Sequence, residues 1–140
     1  RHVGLTESIH MIAKKLNLPI TKTTDIIKPI IATQEIKLKW TTIQPNQAVG
    51  LKQIGTGYNQ KGEAIVTLNF IAGINISDVK DQVKINGTPS YSLTFDEGIQ
   101  GDSATAIITL NCINSIIQAK PGLRTMIDIP SISAAKPILA

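Results

Sequence analysis

One cysteine, 4% aromatic residues and no long apolar run set this 140-residue sequence apart by what it has little of. Cys112 has no second cysteine in its own chain, so an internal disulfide framework is excluded and a reducing compartment, the cytoplasm, is expected. No stretch reaches the roughly 18 apolar residues of a membrane-spanning helix, and no signal-peptide pattern is present. No membrane partner is therefore expected. Histidine is scarce too. His2 and His10 lie eight positions apart, and no cysteine or carboxylate grouping completes a metal site around them. A Walker motif is absent, and the "GTG" at 55–57 opens no helix, so it is not a dinucleotide fingerprint. The net charge of +4 comes from scattered lysines with Asp and Glu between them. Without an arginine-rich arm or a basic helix, nucleic acid is not an expected partner.

What is present is a globular composition, 42% hydrophobic and 17% charged, of a length that suits one domain over 1–140. With so few aromatics the core must be aliphatic, and abundant Ile, Val and Thr favour strands. "LTESIHMIAKKLNLP" predicts a first helix, capped by Thr6, with Ile9, Ile12, Ala13 and Leu16 on one face and Asn17 and Pro19 ending it. Glu7 and Ser8 occupy its first turn, where Glu7 complements the helix dipole. "TDIIKPIIATQ" predicts a strand that Pro29 restricts to an edge or a bulge. "EIKLKWTTI" alternates, which predicts a strand with Ile36, Leu38 and Trp40 on its covered side. "PNQ" then turns the chain.

"AVGLKQIGTGYNQKGEAIVTLNFIAGI" predicts two long strands joined at "NQKG". In the second, Val66, Leu68 and Phe70 face one way, and Ile65, Thr67, Asn69 and Ile71 face the other. Thr67 and Asn69 are either ordinary strand surface or the polar lining of a pocket. "DQVKINGTPSYSLTF" predicts two short strands. From about Asp102 to Gln118 comes a second helix, apolar all round and so expected to be buried against the sheet and against a partner too. "LRTMIDIP" predicts a last strand. The sum is an α+β fold: a mostly antiparallel or mixed sheet of about five to six strands packed against two main helices.

"GIQGDSATA", at the start of the second helix, carries the clearest chemistry. Asp102 or Ser103 can cap the helix, while the remaining first-turn amides favour a negative group. Asp102 already supplies negative charge, which makes a polyphosphate a poor guest. A small substrate with both an amine and a carboxylate suits the corner better, the acid taking the amine and Thr105 or free amides the carboxylate. On the residues alone, plain capping is the preferred reading and the substrate corner the alternative.

"HVGLTES", "VGLKQIGTGYNQKGEAIVTLNF" and "GIQGDSATA…PGLRTMIDIP" together resemble, over nearly all of the chain, the C-terminal part of the 2,4-diaminopentanoate dehydrogenases, a group with NAD(P)-dependent amine dehydrogenases and related in fold to dihydrodipicolinate reductase. The resemblance implies a C-terminal substrate-binding and oligomerisation domain whose N-terminal Rossmann domain is absent from this chain, which begins at Arg1 as a fragment or processed chain would. It implies oxidative deamination of an amine or diamino acid, with NAD or NADP held by the missing domain and none bound here. The chain alone is then expected to be inactive, and its partners to be the substrate, its own Rossmann domain and further copies in a dimer or tetramer. Asp102 and Thr105 match the family's turn at the interdomain cleft, with Gly101 beside them and Gln100 where relatives often have His. His2, Glu7 and Ser8 match the "HVGL" start. Thr67 and Asn69 are added from strand geometry alone. The alternatives are a stand-alone ligand-binding or assembly module, and a dihydrodipicolinate reductase-like reductase.

Overall fold

The computed structural model describes residues 4–133. The chain divides into two compact units, Arg1–Ile76 and Ser77–Ala140, and each is described by itself.

The first unit opens with helix α1, Gly4–Leu16. Its apolar positions recur every fourth residue, so Leu5, Ile9 and Ala13 form one buried stripe. Asn17 ends the helix with a left-handed φ of 54°, a conformation asparagine tolerates. The helix already includes Thr6, so Thr6 lies inside its first turn and is not the predicted cap.

A three-stranded antiparallel sheet follows, ordered β1–β4–β5, from β1 (Lys22–Ile31), β4 (Ala48–Tyr58) and β5 (Ala64–Gly73). Pro29 falls on β1, an edge strand, with a register shift next to it at Ile30/Ile31. A residue without an N–H is tolerated there because one side of the strand has no ladder to serve. The β4–β5 turn is held by Asn59, whose side-chain oxygen accepts from the amides of Lys61 and Glu63 at 2.9 and 3.0 Å.

Helix α1 seats on the β4 row that contains Gly55 and Gly57. A Cβ on Gly57 would lie 2.4 Å from Ile20 Cδ1 and 2.8 Å from Ile9 Cγ2, and one on Gly55 would lie 3.0 Å from Ile9 Cδ1. The glycines are the floor on which the helix rests. Register places Val66 opposite Gly57 and Leu68 opposite Gly55, so Val66, Leu68 and Phe70 share the helix-covered face, as their alternation predicts.

The alternating "EIKLKWTTI" is not a continuous strand. Two-residue strands β2 (Ile36–Lys37) and β3 (Thr42–Ile43) pair across a tight turn, closed by the Leu38 amide donating to the Thr41 carbonyl at 2.8 Å. The turn places Trp40 in solvent, 80% exposed. An alternating pattern cannot show whether the chain reverses halfway.

The second unit holds the hairpin of β6 (Lys80–Ile85) and β7 (Tyr91–Asp96) and helix α2 (Gly101–Ile117). The expected burial of α2 is not observed: it has no buried residue, and its isoleucines are 46–74% exposed. A helix apolar on every side needs cover on every side. The predicted last strand is absent as well. In its place Asp128 Oδ2 accepts from the Thr125 amide and hydroxyl at 2.8 and 2.6 Å, and this side-chain turn displaces an extended ladder. Two helices and antiparallel strands make the architecture α+β, with five longer strands and the β2–β3 pair.

Candidate functional site

The corner at the start of α2 is built by a short, tightly steered loop. Glu97 and Gly98 both adopt left-handed φ, 66° and 72°, which turns the chain sharply after β7. Gln100 then caps the helix, its side-chain oxygen accepting from the Ser103 amide, while the Ala104 amide donates to the Gln100 carbonyl at 2.9 Å. The cap is therefore Gln100, not Asp102 or Ser103. The loop before α2 lets the longer Gln side chain fold back, where the sequence pattern favours a short Asp or Ser.

This assignment changes what each neighbour has left to offer. Asp102 is exposed, in the first turn, and has no hydrogen-bond or ion-pair partner among the described residues. Its carboxylate can only accept. The Thr105 hydroxyl donates to the Gly101 carbonyl at 2.8 Å, so toward a ligand it too can only accept. Of the two candidates for a substrate carboxylate, Thr105 or the free amides, the committed proton leaves only the amides and suits Thr105 to an ammonium instead. Donors remain on the other side of the corner, in the Gln100 amide nitrogen and the first-turn backbone amides. A Cβ on Gly101 would meet nothing within 4 Å, so the approach to those amides is open. The corner thus presents both acceptors and donors.

The surroundings are acidic. A depression of about 470 Å³ is lined by Ser77, Asp78, Val79, Lys80, Asp96 and Glu97. Lys80 is paired with Asp78, which leaves Asp96 and Glu97 to make the rim negative. Among the described residues no group of His, Cys, Asp or Glu could hold a metal ion. A second groove, about 450 Å³ and mostly apolar, runs along the later turns of α2 beside Cys112, Ile113, Met126 and Ile129.

In the first unit the candidate residues do not converge. Glu7 is exposed on α1, whose buried stripe is Leu5, Ile9 and Ala13. Thr67 pairs with Thr56, and Asn69 with Ile54, positions that alternate with the helix-facing glycines. Both are exposed on the face away from α1, so the sheet stands between them and Glu7. His2 lies outside the described residues. Ser8 is half-buried in α1.

One polar feature is not evident from the sequence. Gln53 is fully buried, and its amide nitrogen donates to Asp25 Oδ1 at 2.7 Å. Both residues lie on the helix-covered face, Asp25 opposite Gly55 and Gln53 two positions before it. Each makes further interactions. A buried amide beside a half-buried carboxylate costs desolvation that its hydrogen bonds must offset. The only signal is that Gln53 shares the parity of Gly55 and Gly57, and that parity acquires meaning once α1 is known to cover it. The same packing explains "GTG" without a nucleotide: Gly55 and Gly57 lie in the middle of a strand under a helix, not at a strand–helix turn.

Comparison with known proteins agrees with this architecture. The structure is similar to an amine dehydrogenase from Mycobacterium smegmatis, with a TM-score of 0.77 at 16% identity, covering 93% of this chain and 39% of that one; this shows the fold. The sequence is 34% identical over 137 residues to a 2,4-diaminopentanoate dehydrogenase from Acetoanaerobium sticklandii, covering 92% of this chain and 38% of that protein. The chain thus spans well under half the length of the relatives it matches. Residues 1–138 match the 2,4-diaminopentanoate dehydrogenase C-terminal domain family, and the chain belongs to that family.

Proposed function

We propose that this chain is the substrate-binding and oligomerisation domain of an NAD(P)-dependent dehydrogenase that oxidatively deaminates an amine or diamino acid resembling 2,4-diaminopentanoate. The observation that carries the reading is the α2 corner. Asp102 and Thr105 offer acceptors, while the Gln100 side-chain nitrogen and the free first-turn amides offer donors, and the nearby rim is acidic. Such a site holds an ammonium and a carboxylate in fixed orientation, which is what positioning a diamino acid for oxidation at carbon requires. Thr67 and Asn69, on the uncovered sheet face, are secondary candidates, as are His2 and Glu7 near the start of the chain.

The nicotinamide cofactor belongs, in this reading, to a Rossmann domain in the part of the longer relatives that this chain does not span. When bound, it supplies the hydride acceptor. In this reading the chain contributes substrate orientation and is inactive alone. Ile26 and Ile71, 52% and 48% exposed on the uncovered sheet face, support assembly into a dimer or tetramer through the sheet. No described helix is long and apolar enough to cross a membrane, and the single cysteine is in keeping with a cytoplasmic setting.

The test is kinetic. In the full-length enzyme, Asp102→Asn and Thr105→Ala are expected to lower kcat/KM for 2,4-diaminopentanoate by about tenfold or more, with melting temperature nearly unchanged. A fall in melting temperature that tracks the loss of activity reduces both residues to structural parts of the helix start.

A further inference from the structure

We infer that Asp81 is a positioning residue for the α2 corner, acting through the backbone of the loop that precedes it. This rests on the corner being the substrate site.

Asp81 is out of place by pattern. On the β6–β7 hairpin, Val83 faces Leu93 and Ile85 faces Tyr91, and the next pair in the same row is Asp81 with Phe95. An otherwise apolar row thus carries a carboxylate at one end. Its partner explains the exception. Asp81 Oδ2 accepts from the Ile99 amide at 2.7 Å, a short contact to the backbone. Ile99 immediately precedes Gln100, the residue that caps α2 and offers its amide nitrogen to the corner.

The loop is shaped to make that contact. Glu97 and Gly98 turn the chain back over β6 with left-handed φ, and the Gly98 amide donates to the Phe95 carbonyl at 3.2 Å. At Gly98 the backbone passes so close that a Cβ would lie 3.1 Å from Val79 Cγ1 and 3.6 Å from Asp81 Oδ2. A side chain there is opposed both by φ and by space. The hairpin therefore holds the loop at two adjacent points, by close packing at residue 98 and by a hydrogen bond at residue 99. Gln100 inherits its position from both. The role asks of Asp81 an acceptor rather than a charge.

That distinction makes the role testable in the full-length enzyme with 2,4-diaminopentanoate as the probe. Asp81→Ala is expected to raise KM for the diamino acid roughly tenfold, with KM for the nicotinamide cofactor unchanged and kcat altered less. Asp81→Asn keeps an acceptor and is expected to restore KM to within about twofold. Hydrogen exchange read at the Ile99 amide should accelerate in the Ala variant and stay slow in the Asn variant. Gly98→Ala, which keeps Asp81 but disfavours the turn, should raise the same KM and loosen the same amide, which covers the case of an Ala variant that fails to fold. An Asn variant as impaired as the Ala variant overturns the inference, since charge and not acceptance would then matter. So does an Ala variant with exposed Ile99 but unchanged KM. Asp102→Asn and Thr105→Ala are measured alongside. If these raise KM and Asp81→Ala does not, only the positioning role fails. If none of them does, the corner is not the substrate site and both readings fall.

Discussion

Replacing Gly57 by alanine tests the central packing of the first unit. The added methyl would sit 2.4 Å from Ile20 Cδ1 and 2.8 Å from Ile9 Cγ2, against an ordinary carbon–carbon separation of about 3.5–4.0 Å. The Ile20 atom is the end of a side chain that can rotate away. The Ile9 atom cannot, because Cγ2 branches at Cβ and Ile9 is 0% exposed, so the helix itself must lift. Overpacking of this kind costs about 1–3 kcal/mol. Replacing glycine inside a regular element returns roughly 0.5–1 kcal/mol. The net expectation is a loss of about 1–2 kcal/mol, read as a fall of roughly 0.5–1 M in the urea midpoint with an unchanged slope. Ile20→Val removes the nearest offending atom. The double variant Gly57→Ala/Ile20→Val should therefore be more stable than the sum of the single losses predicts, by about 0.5 kcal/mol or more. Urea unfolding of the parent and these three variants supplies the full cycle. A Gly57→Ala protein as stable as its parent would refute the seating of α1 on this glycine row, and strictly additive losses would refute the contact with Ile20.

Two further outcomes follow from the structure. Gln100→Ala should destabilise α2 by about 0.5–2 kcal/mol at any ionic strength, because it removes the cap, whereas Asp102→Ala should cost no more than about 0.3–1 kcal/mol and lose that effect in high salt, where dipole interactions are screened; circular dichroism through a urea titration at low and high salt separates them, and the reverse ranking would return the cap to Asp102. Trp40→Ala should change stability by no more than about 0.5 kcal/mol, as expected of a surface side chain, and a Trp40 fluorescence maximum typical of an apolar environment would contradict its exposed position.

Much of the fold is written in local pattern. The spacing of Ile9, Ile12, Ala13 and Leu16 predicts a one-sided helix; Ile9 and Ala13 are buried as expected, while Leu16 is 63% exposed and Leu5 takes its place in the stripe. Pro29 restricts its strand to an edge because a missing N–H cannot serve a central ladder. Asn59 and Gly62 set the β4–β5 turn through backbone and side-chain preferences that need no distant partner. The start of α2 was also legible, to within a residue, from the glycines and small residues around it. The family was legible because several short motifs keep their order along the chain.

Other features depend on what arrives from elsewhere in the chain. Period-two alternation across 35–43 could not reveal that the chain reverses at Trp40, because both arms of a hairpin alternate alike. Asp128 formed a turn with Thr125 because a carboxylate three residues away outcompeted a strand partner. The apolar surface of α2 predicted burial, but burial requires a covering surface that a helix cannot supply for itself. Composition and periodicity alone therefore determined the α+β class, the chief helices and hairpins, and the location of the corner at 98–105. Only tertiary structure decided that Gln100 takes the Ser103 amide and leaves Asp102 uncommitted, that Gln53 and Asp25 meet beneath α1, and that a sheet separates Glu7 from Thr67 and Asn69. Each of these is settled by which groups compete for the same hydrogen bond or the same face, and that competition exists only once the strands are in register.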